Sequence, residues 1–283
     1  MPSSSFSKLT YMLALAAGRP DSMRKSQLFI IAAIGLISST ILWSCASDPI
    51  GVRIDESLPQ SKLADYNDRF DRFRTDLWEK TATVFSDAHL ENIRLADLTA
   101  EDGQLRIETK TGGFSKGGLA TRYKFRGDFD VQIDCHIRFL TGLTNMDQIL
   151  ACGVVEQDQA HSDPQLFPIG LSKRGDRGQA YIFCGYHLNG RFHRGFSEPI
   201  KDFHGSLRIL RIGTLIQMYY RRTGATAWEK MCSLESTGND ALFGFTLQNF
   251  AYDRKSIVAR VPITAWVDNF KINAAQQIIE SEI

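Results

Sequence analysis

The sequence predicts an all-β sandwich or barrel behind an N-terminal signal or anchor helix. Three observations carry this expectation. One uncharged apolar run lies near the N-terminus, many short alternating segments follow it, and turn residues separate those segments where longer helical periodicity would otherwise be expected.

The apolar run extends from Leu28 to Trp43 and follows Arg24 and Lys25, the basic and apolar regions of an export signal. At about 1.5 Å per helical residue it falls short of the roughly 30 Å of hydrocarbon that a permanent span crosses. The run ends in Leu42-Trp43-Ser44-Cys45, which resembles the lipobox of bacterial lipoproteins, although Trp43 is bulkier than that pattern prefers. The resemblance implies acylation of Cys45, cleavage before it and a lipid anchor in a membrane. An uncleaved anchor and a buried hydrophobic segment are the other two readings of the run. Met23 precedes Arg24, so residues 1–22 read as an upstream extension and 23–45 as the signal. Ala46 and Ser47 precede Asp48, which resembles sorting toward the outer membrane of a bacterial envelope.

About 240 residues remain after Cys45, the size of one large all-β domain. With 33 basic and 32 acidic residues the net charge is +1, which provides no general attraction to nucleic acid. Residues 46–60 are polar and read as a tether. Leu63, Tyr66, Phe70 and Phe73 then recur at near-helical spacing and predict a short amphipathic lead-in helix. Strand patterns follow in "GQLRIET", "DFDVQIDCHIRF", "QILACGVVE", "QAYIFCGYHL", "RFHRGF", "SLRILRI", "LIQMYYRR", "AWEKMCSL", "LFGFTLQN" and "AWVDNFKI". Asn189-Gly190 suits a two-residue hairpin, and Gly213 and Thr223-Gly224 mark further bends. The sandwich is placed at 61–275 and a C-terminal tail at 276–283.

Cys135, Cys152, Cys184 and Cys232 would meet an oxidising compartment if the chain is exported. A hairpin centred between Leu143 and Thr144 would set Cys135 opposite Cys152, which makes a disulfide between them geometrically possible; the other reading, and the weightier one, is two small buried apolar residues.

Gly103 to Ile107, Gly127 to Val131, Leu207 to Ile209 with Arg211, Tyr219 to Arg221 before Trp228, and Asp268 to Phe270 follow in an order that resembles the concanavalin A-like lectin/glucanase superfamily, in its laminin-G-like and bacterial branch. The resemblance runs from about Phe70 to Asn273. It implies an all-β, concanavalin A-like jelly-roll sandwich of two antiparallel sheets, one of them concave, and leaves the activity open, because the fold hosts lectins, glycosidases and adhesion modules.

In "GDFDVQIDCHIRF", Phe129, Val131, Ile133, Cys135, Ile137 and Phe139 share one face, and Asp128, Asp130, Gln132, Asp134, His136 and Arg138 share the other. Retaining glycosidases need two carboxyl groups about 5–5.5 Å apart. Glycosidases of this fold carry Glu-x-Asp-x-x-Glu or Glu-x-Asp-x-Glu on such a strand. Here Asp130-x-Gln132-x-Asp134 lacks both glutamates, so Asp130 and Asp134 are the catalytic candidates only if the chain is an enzyme. The favoured reading is a non-catalytic, carbohydrate-binding envelope module. A glycoside hydrolase is the alternative, and a structural module binding other envelope proteins is the third.

A sugar site combines flat aromatics with polar groups. Tyr181, Tyr186 and His193 around the hairpin, Gln217, Tyr219 and Arg221, and the face of Asp130, Gln132 and Asp134 are the candidates for it. Counting out from Asn189-Gly190 sets His187 opposite Phe192 and Tyr186 opposite His193, so the two histidines point to opposite faces and do not converge on one metal. No cofactor is expected. Calcium would need clustered oxygens, and the loop Glu156 to Asp163 carries acids without a recognisable calcium-loop spacing.

Overall fold

The computed structural model describes residues 53–80, 93–142, 146–156, 165–175, 178–188, 191–253, 256–257 and 259–280. The signal, Cys45 and the Glu156 to Asp163 loop beyond Glu156 lie outside these residues, and among the described residues no helix is long and apolar enough to cross a membrane. One helical turn α1 (Gln60–Leu63) and a 3-10 turn (Ala64–Tyr66) precede the strands β1 (Trp78–Lys80), β2 (Ile93–Leu95), β3 (Asp97–Glu101), β4 (Gln104–Glu108) and β5 (Phe114–Thr121). Then come β6 (Tyr123–Ile137), β7 (Met146–Glu156), β8 (Gln165–Lys173), β9 (Ala180–Leu188), β10 (Arg191–Ile200) and β11 (Phe203–Ile212). β12 (Leu215–Arg222), β13 (Glu229–Glu235), β14 (Ala241–Asp253), β15 (Ser256–Ile257) and β16 (Thr264–Glu280) complete the chain.

The strands form two layers. Sheet I runs β10-β9-β8-β7-β14-β5, with β1 and β2 beyond β5. Sheet II runs β13-β12-β11-β6-β16-β4-β3. A single residue pair, Ala241 with Phe125, joins the two along the ladder network. All pairings are antiparallel except β2 with β5. This is the jelly-roll sandwich that the resemblance implied, where the alternating segments alone left sandwich or barrel open.

The core lies between the layers. From sheet II, β6 sends in Phe129, Val131, Ile133, Cys135 and Ile137, while its neighbours add Leu207, Ile209, Met218, Val267 and Ile272. Sheet I answers with Leu119, Leu150, Val154, Phe167, Ile169, Ile182, Phe243, Phe245 and Leu247. The period-two pattern read from the sequence is therefore the physical cause of the layering: each strand has one face that must leave water.

Several boundaries differ from the sequence reading. The lead-in helix stops after one turn because Asn67 is extended and Asp68 bridges to Phe270. The Asp68 carboxylate accepts from Phe70 N at 2.8 Å and Trp78 Nε1 at 2.7 Å, bonds that hold the backbone away from a helical course. The tether docks before Gln60, since Ile54 is buried and Leu58 N donates to Ala275 O. The expected tail is strand up to Glu280, which pairs with Tyr123 of β6.

A Cys135–Cys152 disulfide does not form: both are free and buried. β6 and β7 are not a hairpin but belong to different sheets, so the two thiols enter the core from opposite layers. Cys184 of β9 and Cys232 of β13 are joined instead, linking sheet I to sheet II.

An ion pair also ties the layers together. Arg211 Nη1 of β11 lies 2.8 Å from Glu156 Oε1 of β7, and both side chains are fully buried. Arg211 also donates to the carbonyls of Gly127 and Asn239, and Glu156 Oε2 accepts from Thr237 N and Oγ1. The Arg211 guanidinium stands over the Phe129 ring, with its centre 4.7 Å from the centroid.

Candidate functional site

The outward face of β6 is the centre of the outer surface of sheet II, and register arranges that surface in rows, because residues paired across strands share a face. The first row is Trp266, His136 and His204, from β16, β6 and β11. The next is Asp268, Asp134, Ser206 and Arg221. Lys271, Gln132, Arg208 and Tyr219 form the third, and Ala274, Asp130, Leu210 and Gln217 the fourth.

The third and fourth rows are largely closed. Ile54, Leu210, Tyr219 and Trp228 make a small buried cluster over them. Beneath it Asp130 receives two bonds from Arg208, Nε at 2.8 Å and Nη2 at 2.6 Å, the bidentate fork in which guanidinium and carboxylate bind best. Asn273 donates to both Asp130 and Gln132. The guanidinium centres of Arg208 and Arg221 lie 5.3 Å and 4.5 Å from the centroid of the Trp228 ring. Tyr219 donates its hydroxyl to Gln217. Asp130 and Tyr219 are thus packing and bonding elements, turned away from any ligand in solution.

The first two rows are more open, with Ser206 alone buried among their residues. His136 and Trp266 are half-buried and His204 is exposed. Their rings stack in sequence, His136 to His204 at 5.0 Å and His136 to Trp266 at 5.2 Å between centroids, with planes 30° and 22° apart. Burial, and after it the neighbouring His204, holds His136 below the ordinary imidazole range. Asp134 faces Asp268 directly across the β6–β16 pair, an arrangement of like charges that a sheet does not favour. Asn269 bridges them, with Nδ2 3.1 Å from Asp134 Oδ2 and 3.3 Å from Asp268 Oδ2. Burial, opposed by the bond from Asn269 N and reinforced by Asp134, lifts Asp268 above the usual carboxylate range. Asn269 has a φ of 45°, and the β6–β16 register slips just there, between Asp268 and Lys271. Bulges and left-handed residues of this kind concentrate where a surface is shaped for use.

The remaining aromatic candidates do not join this face. Tyr181, Tyr186 and His193 belong to sheet I, and strand alternation sends Tyr181 to its outer side and Tyr186 inward. Tyr186 and His193 stack on each other at 4.8 Å and 12°. The sequence-named residues therefore occupy three surfaces. Gln132, Asp134 and Arg221 are on or next to the open rows. His136, His204 and Trp266 were not singled out as ligand groups, and only long-range register brings them together. Among the described residues no cluster of side chains suits a metal ion, and Glu156, at the start of the acidic loop, is committed to Arg211.

His187 sits opposite Phe192 as the turn count predicted, fully buried on the outer side of sheet I beside Leu166. Neither ring nitrogen has a hydrogen-bond partner among the described residues. Burial, and then His193, pushes its pKa down to about 4. The unfolded chain therefore binds this proton more readily, and stability is lost as the pH falls from about 6.5 toward 4, by about 3 kcal/mol at most. His187→Leu is expected to raise stability at neutral pH and flatten that acid slope in urea titrations at pH 7.5 and 4.5. Equal slopes in the two proteins would show that His187 is not the group responsible.

No known protein family matches the chain, and no curated protein does. Solved structures do. A glycoside hydrolase family protein from Mycobacterium thermorestibile is 12% identical, covers 73% of this chain and 99% of its own, and superposes with a TM-score of 0.52. A pseudo β-1,3-glucanase and immunostimulatory antigen of Mycobacterium tuberculosis is 12% identical, with 77% and 98% covered and a TM-score of 0.51. The CBM2 module of the evolved Dit of Lactobacillus casei BL23 phage J-1 is 8% identical, with 74% and 95% covered and a TM-score of 0.50. At such identities the likeness is one of fold: a glucanase-type jelly roll.

Proposed function

We propose that this chain is a bacterial envelope lipoprotein, held at the outer membrane by lipid on Cys45, whose sandwich binds glycan without cleaving it. The observation that carries the non-catalytic part is the state of Asp130. A nucleophile or acid must reach a sugar, and both oxygens of this carboxylate are held by Arg208 under Ile54 and Trp228. Asp134 then has no acidic partner on its own strand with which to form a retaining or inverting pair. Its cross-strand neighbour Asp268 shares Asn269 with it, an arrangement suited to accepting hydroxyl bonds. The Cys184–Cys232 bond supports export, since such bonds persist in oxidising compartments. The neighbouring folds, which include a carbohydrate-binding module and a pseudo-glucanase by name, support the ligand class.

The test is a pull-down of the detergent-purified chain on insoluble polysaccharides, with a reducing-sugar assay on the same samples. Binding without release of reducing ends is the expected result. Release that Asp134→Asn abolishes would establish the hydrolase in its place, and absence of both would direct the search to protein partners. Cys45→Ser is expected to leave the chain unlabelled by a fatty-acid analogue and free of the membrane fraction.

A further inference from the structure

On the glycan-binding reading above, we propose that the sugar lies on the Trp266–His136–His204 row, with Asp134 and Asp268 as its hydroxyl acceptors, and that it is a neutral hexopyranose chain.

Three features converge on this patch. The first is shape. His136 carries a ring on each side, so the row turns its edge to solvent, while His204 at one end is exposed and Trp266 at the other is half-buried. Three such rings on adjacent strands form an aromatic ledge against which the C–H face of a pyranose packs. The buried cluster of Ile54, Leu210, Tyr219 and Trp228 lies over the rows of Arg208 and Asp130 and touches the next row through Trp228 and Arg221.

The second feature is hydrogen bonding. Asp134 and Asp268 are half-buried, and their Oδ2 atoms share the Asn269 amide. Each carboxylate oxygen accepts more than one hydrogen bond, and sugar hydroxyls are donors. Asp134 lies one row from His136, within the reach of a sugar ring packed on the aromatic row.

The third is charge. Asp134, Asp268 and Asp71 are set against Arg69 and the Arg221 of the same row, and Asp202 and Arg138 both act on His136, so the patch carries no basic excess. A uronate or sulfated chain needs such an excess to offset its own charge, whereas a neutral chain does not. His136 is held in its neutral form and adds no positive charge at neutral pH.

The experiment uses the full chain in detergent, with neutral β-glucan, mannan and galactan set against polygalacturonate and alginate in affinity electrophoresis. Trp266→Ala is expected to weaken neutral-polysaccharide binding by roughly tenfold or more, as truncating a central aromatic contact does. Asp134→Asn should weaken it less and admit the acidic polymers. Leu95→Ala, an exposed position on β2 of the other sheet, should change neither. Thermal melts run alongside, and His204→Ala supplies a second, exposed probe of the row should Trp266→Ala fail to fold. Neutral binding that survives both Trp266→Ala and His204→Ala would overturn this site while leaving the glycan reading intact. Preference of the unmodified chain for acidic polymers would overturn the ligand class. Failure to bind any polysaccharide would overturn the glycan reading and this site with it.

Discussion

Glu156→Gln is expected to lower the free energy of unfolding by about 3–5 kcal/mol, the range seen when one partner of a buried ion pair is removed. The cost does not come from losing attraction alone. Arg211 remains fully buried with its charge, and its remaining partners are the carbonyls of Gly127 and Asn239 and the face of Phe129. Glu156 Oε2 also anchors Thr237 through two bonds, which an amide keeps only in part. Because Arg211 belongs to sheet II and Glu156 to sheet I, the loss falls on the contact between layers. Urea unfolding of Glu156→Leu, Arg211→Met and Glu156→Leu/Arg211→Met, run beside Glu156→Gln, completes the cycle. The double replacement should recover part of the loss, since an uncompensated charge is worse than an apolar pair. If either single change costs less than about 1 kcal/mol, the pair is no more than a surface-type contact and the argument fails.

The fold was legible where local pattern and turn chemistry agreed. β12 begins and ends where "LIQMYYRR" does, and Asn189-Gly190 set His187 opposite Phe192 and Tyr186 opposite His193 as observed. β5 and β8 were not legible, because their residues carry the opposite local signal. Gly117 and Gly118 read as a turn, and Pro168 argues against an interior strand since it lacks an N–H to donate. Both strands exist because their neighbours in sheet I impose them, a tertiary effect that overrides local preference.

The candidate site was half legible for a related reason. Alternation within β6 put Asp134 on a polar face, a fact contained in a dozen residues. What stands beside Asp134 depends on pairing with β16 and β11, at separations well over a hundred and about seventy residues along the chain. No short window contains the row of Trp266, His136 and His204. The covering of Asp130 by Ile54 and Trp228 is hidden in the same way, because it joins a segment that reads as tether to the start of the distant strand pattern "AWEKMCSL".

Gly118→Ala is expected to cost at least about 3 kcal/mol, beyond the usual penalty for one added methyl in a packed interior. A Cβ at Gly118 would stand 1.8 Å from the carbonyl oxygen of Phe245 and 2.7 Å from the Cα of Thr246, both on β14. These are backbone atoms, so no side-chain rotation relieves the contact. β5 would have to move off β14, and that pairing runs from Ser115 with Asn249 to Ala120 with Gly244. The shift would carry Leu119 and Phe245 out of the core they share, and would loosen β1 and β2, which are held to the sheet through β5. Gly195→Ala is the matched control: its Cβ would meet nothing nearer than 3.4 Å, and its effect should stay within about 0.5 kcal/mol. Chemical denaturation of the two variants decides the matter. Similar small losses in both would mean that the glycine in β5 is a tolerated residue and not the condition for close strand approach. A large loss confined to Gly118→Ala would establish that the residue most misleading in the sequence is the one the sheet requires.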